Sequence, residues 1–248
     1  MTDVSEVGDP NEVAALVPAA GEGSRLGGVR KQFRTLGDRP LLVQVLLVFE
    51  QHPSVGHLVV AVPENHVSEV SDRLQAEGLS KLTAVVSGGD SRQSSVWNAL
   101  RAVPAPVEVV LVHDAVRPFV QAREVKEVVA AVRTHGAASL AMPVADTLRE
   151  SAAEVFGDTV PRDRLFRMQT PQGFRRAWLE EAHRKAAKAA EVPATDDVGL
   201  VQRIGRDVHR VRGDRRNFKI TTKGDWRLAQ QLWGPWTNDP DRTSVSAS

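Results

Sequence analysis

The sequence predicts an α/β fold, a mostly parallel, doubly wound sheet with a protruding β-arm. Three observations carry this expectation. Short apolar runs of strand length alternate with longer stretches of helical period along most of the chain. Polar strings rich in small residues follow directly after several of the apolar runs. The alternation breaks once, over residues 146–165, where turn residues and charges replace any long apolar period.

Taken in order, residues 13–17 read as a buried strand and 41–50 as an apolar helix with Pro40 at its first turn. Residues 57–62 form the next strand, ending at Pro63, and 65–76 a helix. A strand at 82–86, a helix at 91–102 and a strand at 107–112 follow. A helix at 122–134 is closed by Gly136, and 137–143 is again a strand. The break at 146–165 reads as a protruding hairpin. Helices at 175–190 and 196–204, short strands near 208–211 and 218–220, and a helix at 224–232 complete the series. Residues 12–237 are thus expected to form one domain, with 1–11 and 238–248 as flexible tails. In open α/β sheets ligands bind at the carboxyl ends of the strands, so the polar strings should gather there.

Composition narrows the chemistry. The 248 residues are 42% hydrophobic and 25% charged, the balance of a globular protein. Lys and Arg total 32 against 31 for Asp and Glu, which gives no global attraction to nucleic acid or membrane. There is no cysteine, so disulfides, thiolate metal sites and cysteine nucleophiles are excluded. The histidines show no helical pair spaced for zinc, and no G-x-S-x-G nucleophile elbow occurs. No Lys or Arg precedes Arg25, unlike the basic start of a secretory signal, and the apolar run at 41–49 is interrupted by Gln44. These features predict a cytoplasmic protein with no membrane span.

Three strings carry the site chemistry. Pro18-Ala19-Ala20-Gly21-Glu22-Gly23-Ser24-Arg25 follows the first strand. Small residues there let backbone amides approach a phosphate closely, and Arg25 and Lys31 add positive charge for phosphoryl oxygens. The spacing fits neither a dinucleotide fingerprint nor a Walker A loop. Gly88-Gly89-Asp90-Ser91-Arg92-Gln93-Ser94-Ser95 combines exposed backbone with a helix cap, suited to the edge of a base. His113-Asp114-Ala115-Val116-Arg117-Pro118 puts a carboxylate just past an apolar strand, where it can hold a metal or a ribose hydroxyl, or simply pair with Arg117. His113 reads as a structural, hydrogen-bonding histidine.

In combination these strings resemble the 2-C-methyl-D-erythritol 4-phosphate cytidylyltransferase family. Four further segments match in order. They are Pro143-Val144-Ala145-Asp146-Thr147, Gln169-Thr170-Pro171-Gln172-Gly173-Phe174, Thr195-Asp196-Asp197 and Asn217-Phe218-Lys219-Ile220-Thr221. The resemblance implies a Rossmann-like nucleotidyltransferase sheet whose β-arm embraces a second subunit, making a homodimer. It implies transfer of CMP from CTP to the sugar-alcohol phosphate, with pyrophosphate released and Mg²⁺ as cofactor. On this resemblance Ala19, Ala20, Gly21 and Gly23 line the CTP site, and Gly89, Asp90 and Ser95 read the cytosine. Asp114, Ala115 and Arg117 lie at the ribose, with Asp114 near the metal. Arg25, Lys31, Arg162 and Lys219 are the catalytic cations, and Thr147, Thr170 and Thr195 face the acceptor.

Some positions depart from the family pattern. Val116 replaces an alanine, Val198-Gly199 replaces Ala-Ser, and Pro161 stands where an aspartate often precedes Arg162. Two other readings remain open on sequence alone: a ribitol 5-phosphate cytidylyltransferase, and a catalytically inactive nucleotide-binding regulator.

Overall fold

The computed structural model describes residues 13–21, 30–188 and 194–245. Strand β1 (Val13–Pro18) is buried throughout the run Val13–Val17. A turn of 3-10 helix at Lys31–Phe33 and a short antiparallel pair, β2 (Thr35–Leu36) and β3 (Arg39–Pro40), lead into helix α1 (Leu41–Glu50), with Pro40 at the N-cap. Gln44, the polar residue in that apolar run, is buried and donates to the Leu36 carbonyl and to Asp38. Next come β4 (Val55–Val62), α2 (Val67–Ala76), β5 (Leu82–Ser87), α3 (Arg92–Arg101), β6 (Val109–Val112), α4 (Ala122–His135) and β7 (Ala137–Pro143). Gly136, at φ 88°, closes α4 in the left-handed region.

The arm is an antiparallel hairpin, β8 (Leu148–Ala152) with β9 (Val155–Val160), exposed along almost its whole length. The chain then returns as β10 (Phe166–Arg175), followed by α5 (Arg176–Lys188), α6 (Asp197–Arg203), β11 (His209–Arg212) and α7 (Lys223–Thr237).

Seven strands form one sheet in the order β11-β7-β10-β6-β1-β4-β5. All neighbours are parallel except β10, which runs antiparallel to both β6 and β7. The alternation along β1 explains the two layers. Val13, Ala15 and Val17 face one core with α1, α2 and α4, and Ala14 and Leu16 face the other with α3, α5 and α6. A third apolar cluster joins Leu36, Leu41, Phe119 and Ile220 to Trp226, Trp233 and Trp236 of α7, so these tryptophans are packing residues.

Three expectations need correction. β10 was not expected, because Gln169, Thr170, Pro171 and Gln172 read as a polar motif and not as strand. The segment is nonetheless buried, with a register shift between Met168 and Gln172. Residues 218–220 form no strand; Ile220 N donates to the Val116 carbonyl from a loop. Helix α7 runs on past 232, through Pro235, to Thr237. Beyond it, Arg216 pairs with Asp239 at 2.8 Å, and Lys126 Nζ donates to the Val245 carbonyl at 3.0 Å, so these residues are held to the body. No helix among the described residues is long and apolar enough to cross a membrane.

Candidate active site

A cavity of about 630 Å³ opens at the carboxyl ends of β1, β4, β5 and β6. In the seven-stranded sheet β1 is flanked by β4, the next strand of that sheet along the chain, on one side and by β6 on the other. The site therefore falls where strand order reverses, the place at which a crevice forms in a doubly wound sheet.

The β1 side is built from small residues. Ala19, Ala20 and Gly21 line the cavity. Their carbonyls are anchored from below: buried Gln32 donates to Ala19 O at 2.6 Å and Gly21 O at 3.2 Å, and Arg30 donates to Ala20 O. These bonds hold the carbonyls of Ala19, Ala20 and Gly21 in place. Gly23 and Arg25 lie outside the described residues.

On the β5 side, a Cβ on Gly88 would meet Ala20 Cβ at 2.3 Å, so the two loops touch and only glycine fits. Ser91 and Ser94 form a capping box at the start of α3. Buried Ser95 Oγ accepts from Gly89 N at 3.1 Å and donates to Ser91 O at 2.9 Å. Gly89, Asp90 and Ser95 all line the cavity. Ser95 thereby holds the Gly89 turn in shape.

The β6 side centres on Asp114, which is 7% exposed. Three cations surround it. Arg92 Nε lies 3.2 Å from Oδ1, Arg117 Nε 3.3 Å from Oδ2 and Lys219 Nζ 3.0 Å from Oδ2. Burial pushes the carboxyl up, but the three cations outweigh it and hold Asp114 well below the usual carboxylate range. His113 beneath it is fully buried, and burial lowers its pKa to about 4. Its Nε2 faces the Arg117 carbonyl at 3.0 Å, which can only accept, so the proton resides on Nε2. Nδ1 must then accept from Thr170 Oγ1 at 3.1 Å, and that hydroxyl accepts in turn from Asp114 N. His113 is thus a neutral, sealed support, as its position in the sequence suggested.

Lys31 and Lys219 line the same cavity. Lys31 Nζ donates to the carbonyl of Ile220, the residue after Lys219, at 3.5 Å. Two cations from opposite ends of the chain are brought to one wall. Ala115 and Val116 also line it.

Several expected positions fall elsewhere. Arg117 does not line the cavity; it is 8% exposed, donates to the Asn217 carbonyl at 2.8 Å and braces Asp114 from behind. Thr170 is buried beneath Asp114 as described, not facing an acceptor. Thr147 and Thr195 are exposed and do not line the cavity. Arg162, at the base of the arm, donates to the Ala145 carbonyl and likewise stands outside it. Among the described residues no cluster of three or more acidic or histidine side chains is arranged for a metal ion.

Two residues to which the sequence assigned no role belong to this centre. Arg92 reaches Asp114 with Nε and Asp197 with Nη1, at 2.6 Å. Asp197 is fully buried. The signal was present in the strings Gly88–Ser95 and Thr195–Asp197, but spacing does not reveal that their charges meet.

The profile of the family described as IspD, 2-C-methyl-D-erythritol 4-phosphate cytidylyltransferase, matches residues 13–234. The chain is 65% identical over 236 residues to the 2-C-methyl-D-erythritol 4-phosphate cytidylyltransferase of Salinibacter ruber, covering 95% of this chain and 99% of that one. It is 42% identical over 222 residues to the protein of that name from Geotalea uraniireducens, covering 88% and 95%. Among solved structures it resembles the 2-C-methyl-D-erythritol 4-phosphate cytidylyltransferase of Thermus thermophilus, with TM-score 0.75, 35% identity and coverage of 88% and 98%. The chain, with its mostly parallel nucleotidyltransferase sheet, belongs to the 2-C-methyl-D-erythritol 4-phosphate cytidylyltransferase family.

Proposed function

We propose that the protein transfers CMP from CTP to 2-C-methyl-D-erythritol 4-phosphate, giving 4-diphosphocytidyl-2-C-methyl-D-erythritol and pyrophosphate, within non-mevalonate isoprenoid precursor synthesis. The observation that carries this reading is the meeting of Lys31 and Lys219 in one cavity beside the small residues Ala19, Ala20 and Gly21. The relatives that share nearly the full chain bear the same activity in their names.

A phosphate oxygen of the acceptor attacks the α-phosphorus of CTP. The bond from that phosphorus to the bridging oxygen breaks, and pyrophosphate leaves with the electron pair. A phosphate monoester is already anionic, so no general base is needed; neutral, sealed His113 is consistent with that. The barrier is repulsion between anions and charge growing on the transferred group. The work falls to position and positive charge. Lys31, with Arg25, is suited to the triphosphate, and Lys219 to the acceptor phosphate.

Mg²⁺ is part of the proposal. Asp114 has three of its roughly four lone-pair directions taken. With its charge already offset by these cations, Asp114 would supply one oxygen at most, and the ion would complete its shell with phosphate oxygens. Asp114 would hold it, and when bound it would neutralise charge on the triphosphate.

The proposal includes a homodimer made by the arm and a cytoplasmic location. Val155 and Phe156 at the arm tip are 71% and 77% exposed, an apolar pair that a second subunit could cover. Thr147 and Arg162, outside their own cavity, are then available to a neighbour's site. Sedimentation should give a dimer that Phe156→Asp weakens; full activity in a dilute monomer would remove this part of the reading. For the reaction itself, ³¹P NMR of CTP and methylerythritol phosphate should develop paired diphosphate-diester signals, which ribitol 5-phosphate should not give.

A further inference from the structure

Arg92 is the first residue of α3 and lies between two carboxylates. Its Nε faces Asp114 Oδ1 at 3.2 Å, and its Nη1 faces Asp197 Oδ2 at 2.6 Å. Asp114 in turn holds Lys219 at 3.0 Å. Charges thus alternate in a line from Asp197, through Arg92 and Asp114, to Lys219 in the cavity.

The far end of this line is unusually constrained. Gln172 of β10 fixes the start of α6 with both atoms of its amide, donating to Asp196 Oδ2 at 3.0 Å and accepting from Asp197 N at 3.1 Å. Asp196 caps the same helix through Gly199 N. Asp197 is fully buried, and its Oδ1 has no hydrogen-bond partner among the described residues. His183 Nε2 lies 3.7 Å from it, and the His183 ring stacks on Trp97. A buried carboxylate satisfied on one oxygen costs stability. Packing alone does not call for it. What it supplies is a short, charge-assisted bond that sets the orientation of one guanidinium.

We propose that Asp197 is a positioning residue for the transfer reaction, acting through Arg92 to fix Asp114 and thereby the Lys219 ammonium at the acceptor side of the cavity. The inference rests on the proposed reaction. Without Asp197 the guanidinium is held on one side only, and Asp114 can follow it. A small displacement of groups that align two anionic reactants lowers the rate of the chemical step more than the affinity for either reactant.

The test is steady-state kinetics of Asp197→Asn, Arg92→Met and the double variant, with CTP and methylerythritol phosphate varied in turn and thermal unfolding followed in parallel. Asp197→Asn should lower kcat by about tenfold to a hundredfold, with each KM within about threefold of the parent. The double variant should be no slower than Arg92→Met alone, because the two residues act in one line. If Asp197→Asn does not fold, Asp197→Glu keeps the charge but shifts it by one methylene, and should also lower kcat while sparing KM. An unchanged kcat in a folded variant, a loss confined to KM, or effects that multiply in the double variant would overturn the inference. Failure of the parent protein to turn over would instead count against the reaction itself.

Discussion

Lys219 Nζ lies 3.0 Å from Asp114 Oδ2, so the loop before α7 is tied to the end of β6 by a cation and a carboxylate at the rim of the cavity. Arg92 and Arg117 complete the surround of that carboxylate. Asp114 is therefore both the electrostatic centre of the site and a structural keystone. Asp114→Asn leaves three cations facing a neutral amide. It should lower turnover by at least a hundredfold and destabilise the fold by about 3 kcal/mol. Initial rates and urea unfolding read the two effects separately.

Lys31 has a different balance. It is partly exposed and lines the cavity, with its ammonium near the Ile220 carbonyl. Lys31→Ala should lower kcat by about a hundredfold or more. The melting temperature should fall less than in Asp114→Asn, because the Lys31 side chain is partly exposed whereas Asp114 is buried.

Gly136 offers a stability prediction remote from the cavity. Its φ of 88° suits glycine, and a Cβ there would meet the Trp178 ring at 2.2 Å. Gly136→Ala should destabilise the protein by more than about 1 kcal/mol in urea. The folded fraction should keep its kinetic constants.

His52 gives a pH dependence with a definite sign. Burial lowers its pKa from 6.5 to about 4. Its Nε2 donates to the Ala122 carbonyl, and Nδ1 accepts from Ser54 N. The unfolded chain takes up a proton below about pH 6.5 that the fold refuses until about pH 4. Its contribution to stability is therefore present at neutral pH and lost on acidification through that window. Fully buried His113 acts in the same direction. Glu124 acts oppositely: burial raises it to about 7, so its contribution is complete below pH 4.5 and lost as pH rises to 7. His52→Gln isolates one group, since an amide can make both hydrogen bonds without titrating. Urea unfolding of this variant between pH 6.5 and 4 should show a slope smaller by up to about 1.4 kcal/mol per pH unit.

The sequence made the parallel scaffold legible because each strand and helix there carries its own apolar period, as in β1 and α4. It did not reveal β10. That strand's middle is Gln169, Thr170, Pro171 and Gln172, polar groups that satisfy partners in other segments: Gln169 meets the carbonyls of Asp214 and Asn217, and Gln172 meets Asp196 and Asp197. A strand whose polar side chains serve tertiary contacts loses the alternation by which strands are read. The same cause limited the site. The loops that line the cavity were identifiable from small residues after strands. Arg117, however, read equally as a ligand contact or as an ion-pair partner, and only its hydrogen bonds to Asp114 and Asn217 settle where its guanidinium lies. The Arg92–Asp197 contact joins positions with no common period, so burial and distance were needed to find it.

On the proposed reaction, one cavity brings CTP and a sugar-alcohol phosphate together under Lys31 and Lys219. Pyrophosphate release from CTP and Mg²⁺, with methylerythritol phosphate and ribitol 5-phosphate offered in parallel, tests it most directly. Release is expected with methylerythritol phosphate alone, and is abolished in folded Lys31→Ala. Release only with ribitol 5-phosphate, or none with either acceptor while CTP still binds, would contradict it.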